Sequence, residues 1–275
     1  MRNRVTPAGL ALLTLGLFAC PGPDGRLAPD GGAGLDFTFS SDDDVRLALN
    51  VIDLPYLIVF STPDPGNVVG SCPVLTTTAS GWTATGGCVD AQGVSYSGAF
   101  TVKKVQASAS AVNYTFDYSS YGAGTDGGAW SYSLDGRVTA TIAGSICGYP
   151  GPSPLDADGL RISLAGTGIQ GFGGFFPGAG KAVDLTFWGY RMAWDLQCSP
   201  STLTAHGEVV VKGRGRFALQ SSRQEGGSCS HDPARGTSVF TGANGVSFAY
   251  DGASPCDACV PYTSDAGLTG ALCWQ

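Results

Sequence analysis

Strict alternation of apolar and polar residues over long stretches is the feature that most constrains this chain. The stretch "VSYSGAFTVKK" places Val94, Tyr96, Phe100 and Val102 at even positions, with mostly polar residues between them. The same period of two runs through "VNYTFDY", "WSYSLDGRVTATI" and "GEVVVKGRGRFALQ". Such a period indicates strands with one face on a core and one in water. Because "DAQG", "GTDGG", "DADG" and "GANG" supply turn residues between strands, the sequence predicts an all-β fold: an antiparallel β-sandwich or a strongly curved sheet of hairpins.

One segment favours a helix, so we expect at most one short N-terminal helix. In "SSDDDVRLALNVIDLPYLIVF", Ser41 is a candidate N-cap, and Val45, Leu49 and Ile52 share one helical face. The stretch "VRLALNV" also alternates, so a strand stays an alternative there. Pro55 is expected to end any helix and to leave "YLIVFS" as a strand.

The first twenty residues are typical of an export signal. Arg2 and Arg4 form a basic head, and an apolar stretch over residues 7–19 is too short to span a bilayer. The sequence "LFAC" that ends at Cys20 resembles the lipobox of bacterial lipoproteins, although Phe18 is bulkier than that pattern prefers. The resemblance implies cleavage before Cys20 and lipidation of its sulfur and amine. An ordinary secretory signal with Cys20 near the cleavage site is the alternative.

We divide the chain into a signal peptide (residues 1–19), a lipidated cysteine with a flexible Pro/Gly-rich tether (residues 20–34) and one β ectodomain (residues 35–275). The formal net charge is −7, and loss of Arg2 and Arg4 with the signal makes it −9. An acidic chain of this kind argues against nucleic acid as a partner.

Cysteine counting supports both the anchor and a disulfide framework. The chain has nine cysteines, so setting Cys20 aside leaves an even number, as an exported disulfide-bonded domain requires. Hairpin symmetry about turn signals predicts three pairs and leaves a fourth by remainder. The expected pairs are Cys72 with Cys88, Cys259 with Cys273, Cys229 with Cys256, and Cys147 with Cys198.

Two zinc hypotheses compete with these disulfides. His206 and Glu208, followed by Cys256 and Cys259, spell the signature of zinc nucleobase deaminases, but His206 leads into a strand instead of a helix. A structural zinc site on Cys229, His231, Cys256 and Cys259 has the right ligand types, but it leaves Cys273 without a partner. We therefore expect no metal and no cofactor.

Catalytic patterns are weak. The two histidines, His206 and His231, accompany no G-x-S-x-G elbow, and Glu208 and Glu225 are the only glutamates. A pair of aspartates across strands, as in a glycosidase, stays open. The aspartates of "LDADG" fit a plain turn better than a calcium loop. The basic stripe of Lys212, Arg214 and Arg216 fits a solvated strand face better than an anion site.

The candidate binding residues are aromatic. "GFGGFFPGAG" is expected to form a loop that carries three rings, and the following strand is apolar on both faces, with two tryptophans and a tyrosine on the face opposite Val183, Leu185 and Phe187. Such rings either pack in a core, which we favour, or form a platform for sugars or apolar ligands. The residues concerned are Phe172, Phe175, Phe176, Trp188, Tyr190 and Trp194.

The sequence thus predicts a lipid-anchored protein of the bacterial envelope, in the outer rather than the inner membrane, with a non-enzymatic binding or structural β domain. Its partners are the membrane, through the lipid, and an envelope glycan or protein. A secreted glycan- or ester-directed hydrolase with an unrecognised carboxylate site is the alternative. The chain as a whole is similar in style to uncharacterised lipoproteins of predatory soil bacteria, because it combines a lipobox, a tether and Cys- and Gly-rich hairpins. This similarity implies no activity.

Overall fold

One antiparallel sheet dominates the structure. This computed structural model describes residues 34–66, 70–125, 127–143, 152–167, 178–195, 201–225, 235–251 and 259–273, which all lie in one compact unit, Ala33–Gln275. In these residues fourteen strands form a single open, curved sheet in which neighbours along the chain pair side by side, and the short β3 pairs with β4 beside β2. The predicted antiparallel all-β fold is therefore confirmed in its curved-sheet form.

The strands and the two described helices have the following bounds. They are α1 (Asp42–Val51), α2 (Leu54–Ser61), β1 (Val74–Thr78), β2 (Gly81–Thr85), β3 (Cys88–Val89), β4 (Val94–Ser108), β5 (Ala111–Thr125), β6 (Trp130–Ala143), β7 (Pro152–Gly166), β8 (Gly178–Asp195), β9 (Ser201–Val211), β10 (Gly215–Glu225), β11 (Arg235–Thr241), β12 (Gly245–Tyr250), β13 (Cys259–Ser264) and β14 (Thr269–Cys273).

The core lies between one face of this sheet, here called the inner face, and the two helices. The alternating apolar residues of the sequence supply it, because Phe100, Phe116, Val138 and Phe217 are all buried in a single cluster with Leu49 of α1. Apolar residues on the inner face of β2 and of strands from β4 through to β14 join the same cluster. The period of two therefore assigned the faces of these strands correctly.

A row of β-bulges crosses the long strands and bends them. The pairing register shifts next to Gly98 in β4, Gly136 in β6 and Gly189 in β8. Each of these glycines has a positive φ, and at Gly98 a Cβ would lie 2.1 Å from the carbonyl oxygen of Ser120 on the neighbouring strand. Bulges increase local twist and bend a strand, so a row of them curves the sheet around the helices.

The "LDADG" segment belongs to this row of bulges, so the predicted turn at this point is wrong. Asp156 and Asp158 lie inside β7, on either side of the buried Ala157. The chain does not reverse at these residues. Instead β7 continues through them, paired with β6 on one side and with β8 on the other. Gly159, with a φ of 72°, adds a bulge instead.

Helix α1 begins as predicted, and α2 replaces an expected strand. Ser41 is the N-cap and its side chain accepts a hydrogen bond from the Asp44 N–H. The expectation that Pro55 ends the helical region is wrong, because Pro55 lies in the first turn of α2. A proline there costs no hydrogen bond, since first-turn N–H groups have no partner within the helix. The Leu57 N–H then donates to the Asp53 carbonyl, and Ile58 packs into the core.

Two of the predicted disulfides are present. Cys72 is bonded to Cys88 and closes the open end of the β1–β2 hairpin, whose turn lies at Ala79 and Ser80 as expected. Cys259 is bonded to Cys273, its direct partner in the β13–β14 pairing. Cys147, Cys198, Cys229 and Cys256 lie outside the described residues, as do Cys20 and the rest of residues 1–33, where the sequence predicts a signal peptide and a tether.

Candidate functional site

The predicted aromatic face of β8 is divided between the two faces of the sheet. Trp188 lies on the outer face, where its ring covers Gly159 of β7; a Cβ on Gly159 would lie 3.6 Å from Cζ3 of Trp188. Tyr190 faces the core and is only 1% exposed. The bulge at Gly189 puts the two residues on opposite faces although they are two positions apart. The prediction that Trp188 and Tyr190 share a face is therefore wrong.

The third ring of that prediction lies with Tyr190 on the inner face. Trp194 packs against the core, and its ring lies 6.3 Å from that of Tyr56 in α2. The Tyr56 ring in turn lies 4.5 Å from that of Phe60, at an interplanar angle of 42°. Phe60 is 48% exposed at the end of α2. Phe172, Phe175 and Phe176 lie outside the described residues.

Of the residues that suggested metal chemistry, the structure describes His206, Glu208 and Cys259, while Cys229, His231 and Cys256 lie outside the described residues. His206 and Glu208 lie on the exposed outer face of β9. Cys259 is engaged in a disulfide, so both zinc hypotheses lose one of their ligands. Among the described residues no group of three His, Cys, Asp or Glu side chains is arranged to hold a metal ion.

The residues of the basic stripe form separate ion pairs. Lys212 pairs with Asp184 at 3.0 Å, and Arg216 pairs with Glu208 at 3.2 Å. Arg214, in the β9–β10 turn, pairs with Asp44 of α1. The expected solvated strand face is therefore wrong: Lys212 and Arg214 lie in the turn between β9 and β10, and Arg216 is only 8% exposed. The ion pairs join neighbouring elements of the structure.

A buried polar network that sequence reasoning missed fixes the junction of α1 and α2. Arg223 of β10 is 7% exposed and pairs with Asp53, at the start of α2, at 2.7 Å. The hydroxyl of Tyr190 donates to the Ile52 carbonyl at the same junction. Burial, reinforced by the nearby Asp53 charge, raises the pKa of Tyr190 well above its ordinary value, so this hydroxyl stays a donor. A buried ion pair with satisfied hydrogen bonds positions elements, and here it positions the helices.

The most pocket-like surface lies where α2 ends. Beyond Ser61 the inner face of the sheet is no longer covered by helix, and an open pocket of about 660 Å³ remains there, here called the Lys104 pocket. Its walls are the end of α2 with residues 62–66, the β1–β2 turn over residues 77–82, and inner-facing residues of β4 to β6. Volumes of 300–1,000 Å³ are typical of small-molecule sites.

Lys104 lines this pocket, and its ammonium lies over two aromatic rings. Its Nζ is 4.7 Å from the centroid of the Trp82 ring and 5.5 Å from that of Tyr114, its partner across the β4–β5 pairing. Trp82 is itself fixed, because its Nε1–H donates to the Pro63 carbonyl at 2.9 Å. Two rings that face one ammonium hold it by cation–π attraction.

Hydroxyl groups surround the rings. Thr77, Thr78 and Ser80 of the β1–β2 hairpin line the pocket and are exposed. Asp64 is the one acidic residue among the described lining residues, and its carboxylate accepts from the Gly66 N–H at 2.7 Å. Phe60 adds an exposed ring from α2. Among its described lining residues the pocket thus offers aromatic faces, hydroxyls and one cation, a combination of apolar rings with a few polar groups that is typical of small-molecule sites.

The sequence carried a signal for this pocket. Position 104 continues the inward-facing series of Phe100 and Val102, so a lysine there interrupts an otherwise apolar face. A charged residue at a core position of a strand is explained by burial with a partner or by an open site. In this structure the strand extends past the end of α2, so the site is open.

A second pocket, of about 600 Å³, lies beside α1, and its charged lining residues are paired apart from Arg46, which forms no ion pair with a described residue. Lys181 pairs with Asp43 at 3.0 Å, and Arg214 pairs with Asp44. Burial by itself raises the pKa of Asp44, but the hydrogen bonds from Arg214 and Ser40 outweigh it and lower that pKa below its ordinary value. A ligand here would have to displace existing ion pairs, which makes the Lys104 pocket the better candidate.

Comparison of the chain with protein-family models, curated proteins and solved structures yields no match. Within the described residues, neither helix has the length and apolar character needed to cross a membrane. The functional proposal therefore depends on the residues of this chain alone.

Proposed function

We propose that this protein is an exported, lipid-anchored saccharide-binding protein of the bacterial envelope, with the Lys104 pocket as its binding site. The observation that carries the binding proposal is an open pocket of about 660 Å³ in which aromatic rings and hydroxyl groups surround one lysine. Rigid aromatic side chains supply apolar contact with little loss of rotamer entropy, and hydroxyls match the hydroxyl groups of a sugar.

Export and anchoring are supported by the N-terminal residues and by the cysteines. The basic head, the short apolar stretch and "LFAC" before residue 21 together fit a lipoprotein signal. The Cys72–Cys88 and Cys259–Cys273 bonds fit an oxidising compartment. A flexible tether after Cys20 would then hold the β domain, and with it the pocket, off the membrane surface.

Binding is favoured over hydrolysis by the composition of the pocket. Glycoside hydrolysis uses two carboxyl groups that flank the scissile bond. Among the described residues that line the Lys104 pocket, Asp64 supplies the single carboxylate.

Anchoring is tested in cells by the Cys20→Ser variant. We expect the wild-type protein in the membrane fraction and the Cys20→Ser variant as an uncleaved precursor without acyl chains, measured by fractionation and mass spectrometry. A wild-type protein found wholly in the soluble fraction would contradict the anchor.

Binding is tested on a glycan array with the purified full-length mature protein. We expect Tyr114→Ala to abolish retention, because it removes a ring that lines the pocket and faces Lys104. The matched control is Trp188→Ala, which removes a ring from the outer face and is expected to leave retention unchanged. Loss of binding in Trp188→Ala with normal binding in Tyr114→Ala would place the site on the outer face of β8 instead.

A further inference from the structure

We infer that the ligand of the Lys104 pocket is an acidic saccharide, with an anionic substituent such as a uronate carboxylate or a phosphate that pairs with Lys104 Nζ. This inference rests on the proposed function, because it specifies the ligand of the same pocket. The proposed function concerns the saccharide character of the ligand, whereas this inference concerns the charge of that ligand.

Lys104 has an unused charge. It forms no ion pair with any carboxylate in the part of the chain that the structure describes, whereas Lys181, Lys212 and Arg214 around the second pocket are paired. Arg46 lines that second pocket without an ion pair to a described residue, and Lys104 differs from it by lying over two aromatic rings. Asp64 lines the same pocket, but it forms no ion pair with Lys104. In a chain of formal net charge −7, an unpaired ammonium inside a pocket marks a place for an anion from outside.

The surroundings of Lys104 hold it ready for such an anion. The faces of Trp82 and Tyr114 attract the ammonium without neutralising it, and they favour its position over the two rings. The backbone N–H of Lys104 also donates to the Ser80 carbonyl at 2.6 Å, which fixes β4 against the hydroxyl-bearing turn. Binding of an anion therefore requires less loss of side-chain entropy at Lys104 than it would at a lysine without such contacts.

The same geometry selects a saccharide over a small inorganic anion. The volume of about 660 Å³ far exceeds what one phosphate fills. Thr77 and Ser80 place hydroxyls on the side of the pocket formed by the hairpin, and Phe60 offers an exposed ring on the side formed by α2. A sugar ring that stacks on an aromatic face and directs its acidic substituent to Lys104 uses all three kinds of group.

The test measures binding of acidic oligosaccharides against their neutral counterparts. The probes are oligogalacturonate and phosphorylated oligomannose, each beside its carboxyl-reduced or dephosphorylated form, on an array and by calorimetry with the full-length mature protein. We expect at least one acidic probe to bind tenfold or more tightly than its neutral form, and raising the salt from 0.05 M to 0.5 M to reduce this preference. The two acidic arms distinguish carboxylate from phosphate as the source of the anion.

Lysine variants test whether the preference for acidic probes depends on Lys104. Lys104→Met keeps an unbranched, largely apolar side chain between the rings but removes the charge, so we expect the preference for the acidic form to vanish while binding of the neutral form persists. The matched control is Lys103→Met, because Lys103 is the adjacent residue, is exposed on the opposite face and is also without an ion pair. Lys104→Arg keeps the charge and is expected to retain the preference. Thermal melting of each variant shows whether it is folded.

The possible results separate failure of this inference from failure of the proposed function. Equal binding of the acidic and neutral forms by the wild-type protein overturns this inference and leaves the saccharide site in place. A loss of preference in Lys103→Met equal to that in Lys104→Met overturns it as well. Retention of no probe, acidic or neutral, overturns both this inference and the proposed function. The salt series needs only the wild-type protein, so the inference is tested even if a Lys104 variant does not fold.

Discussion

Replacing each of two aromatic residues of β8 by alanine should have very different effects on stability. Tyr190 is 1% exposed, and its ring meets Phe187 edge-to-face at 5.4 Å. Trp188 lies two positions earlier on the outer face, partly exposed to solvent over Gly159. The sequence alone placed both rings on one face, so the comparison tests the bulge between them.

The expected magnitudes follow from burial. Truncation of a buried large aromatic costs about 3–5 kcal/mol. The Tyr190→Ala variant also leaves the Ile52 carbonyl without its donor, which adds about 1–3 kcal/mol, so we expect about 5 kcal/mol in total. Trp188→Ala leaves neither a closed cavity nor a lost core contact, so we expect about 1–2 kcal/mol from the apolar area it re-exposes. Tyr190→Phe removes the hydroxyl alone and should cost about 1–3 kcal/mol.

The assay is thermal and urea unfolding followed by circular dichroism, with the disulfides intact. For a domain of this size 1 kcal/mol corresponds to a shift in Tm of about 2–4 °C, so Tyr190→Ala should lower Tm by roughly 15 °C and Trp188→Ala by roughly 5 °C. If Trp188→Ala destabilises the protein as much as Tyr190→Ala, Trp188 belongs to the core and the bulge at Gly189 is placed wrongly.

Two further predictions concern α1 and the row of bulges. Asp44→Asn should cost about 2 kcal/mol at pH 7, because it removes the ion pair with Arg214. Since the folded-state pKa of Asp44 lies below its ordinary value, this difference is fully present above about pH 4 and declines as the pH falls through the folded-state pKa. A difference between wild type and variant that grows on acidification would contradict this prediction. Gly98→Ala should lower the free energy of unfolding by about 3 kcal/mol, measured in urea, because its Cβ would lie 2.1 Å from the backbone oxygen of Ser120. The control is Gly93→Ala, which has a positive φ but open space around the Cβ and should cost only about 1 kcal/mol. Equal costs for the two variants would show that the backbone conformation alone matters.

The candidate site was predictable only in part. The sequence favoured core packing for its aromatic candidates and left an aromatic platform as the alternative, whereas the structure forms the pocket from Trp82, Tyr114 and Phe60, on three elements far apart in sequence. The sequence-based candidates on β8 were selected by assuming an unbroken period of two. That assumption fails at Gly189, because one added residue exchanges the two faces of the strand downstream.

Local patterns determined much of this protein without tertiary information. Alternation determined which faces of β4, β5, β6, β9 and β10 are buried, turn residues placed the β1–β2, β11–β12 and β13–β14 hairpins, and hairpin symmetry paired Cys72 with Cys88 and Cys259 with Cys273. These are interactions between residues near in sequence, which the chain encodes directly. Only tertiary structure decided that residues 54–61 form a helix rather than a strand, because that apolar segment suits either and its burial against the curved sheet selects between them. Tertiary structure likewise opened the Lys104 pocket, since the end of α2 and the strands that extend past it meet only in the folded sheet.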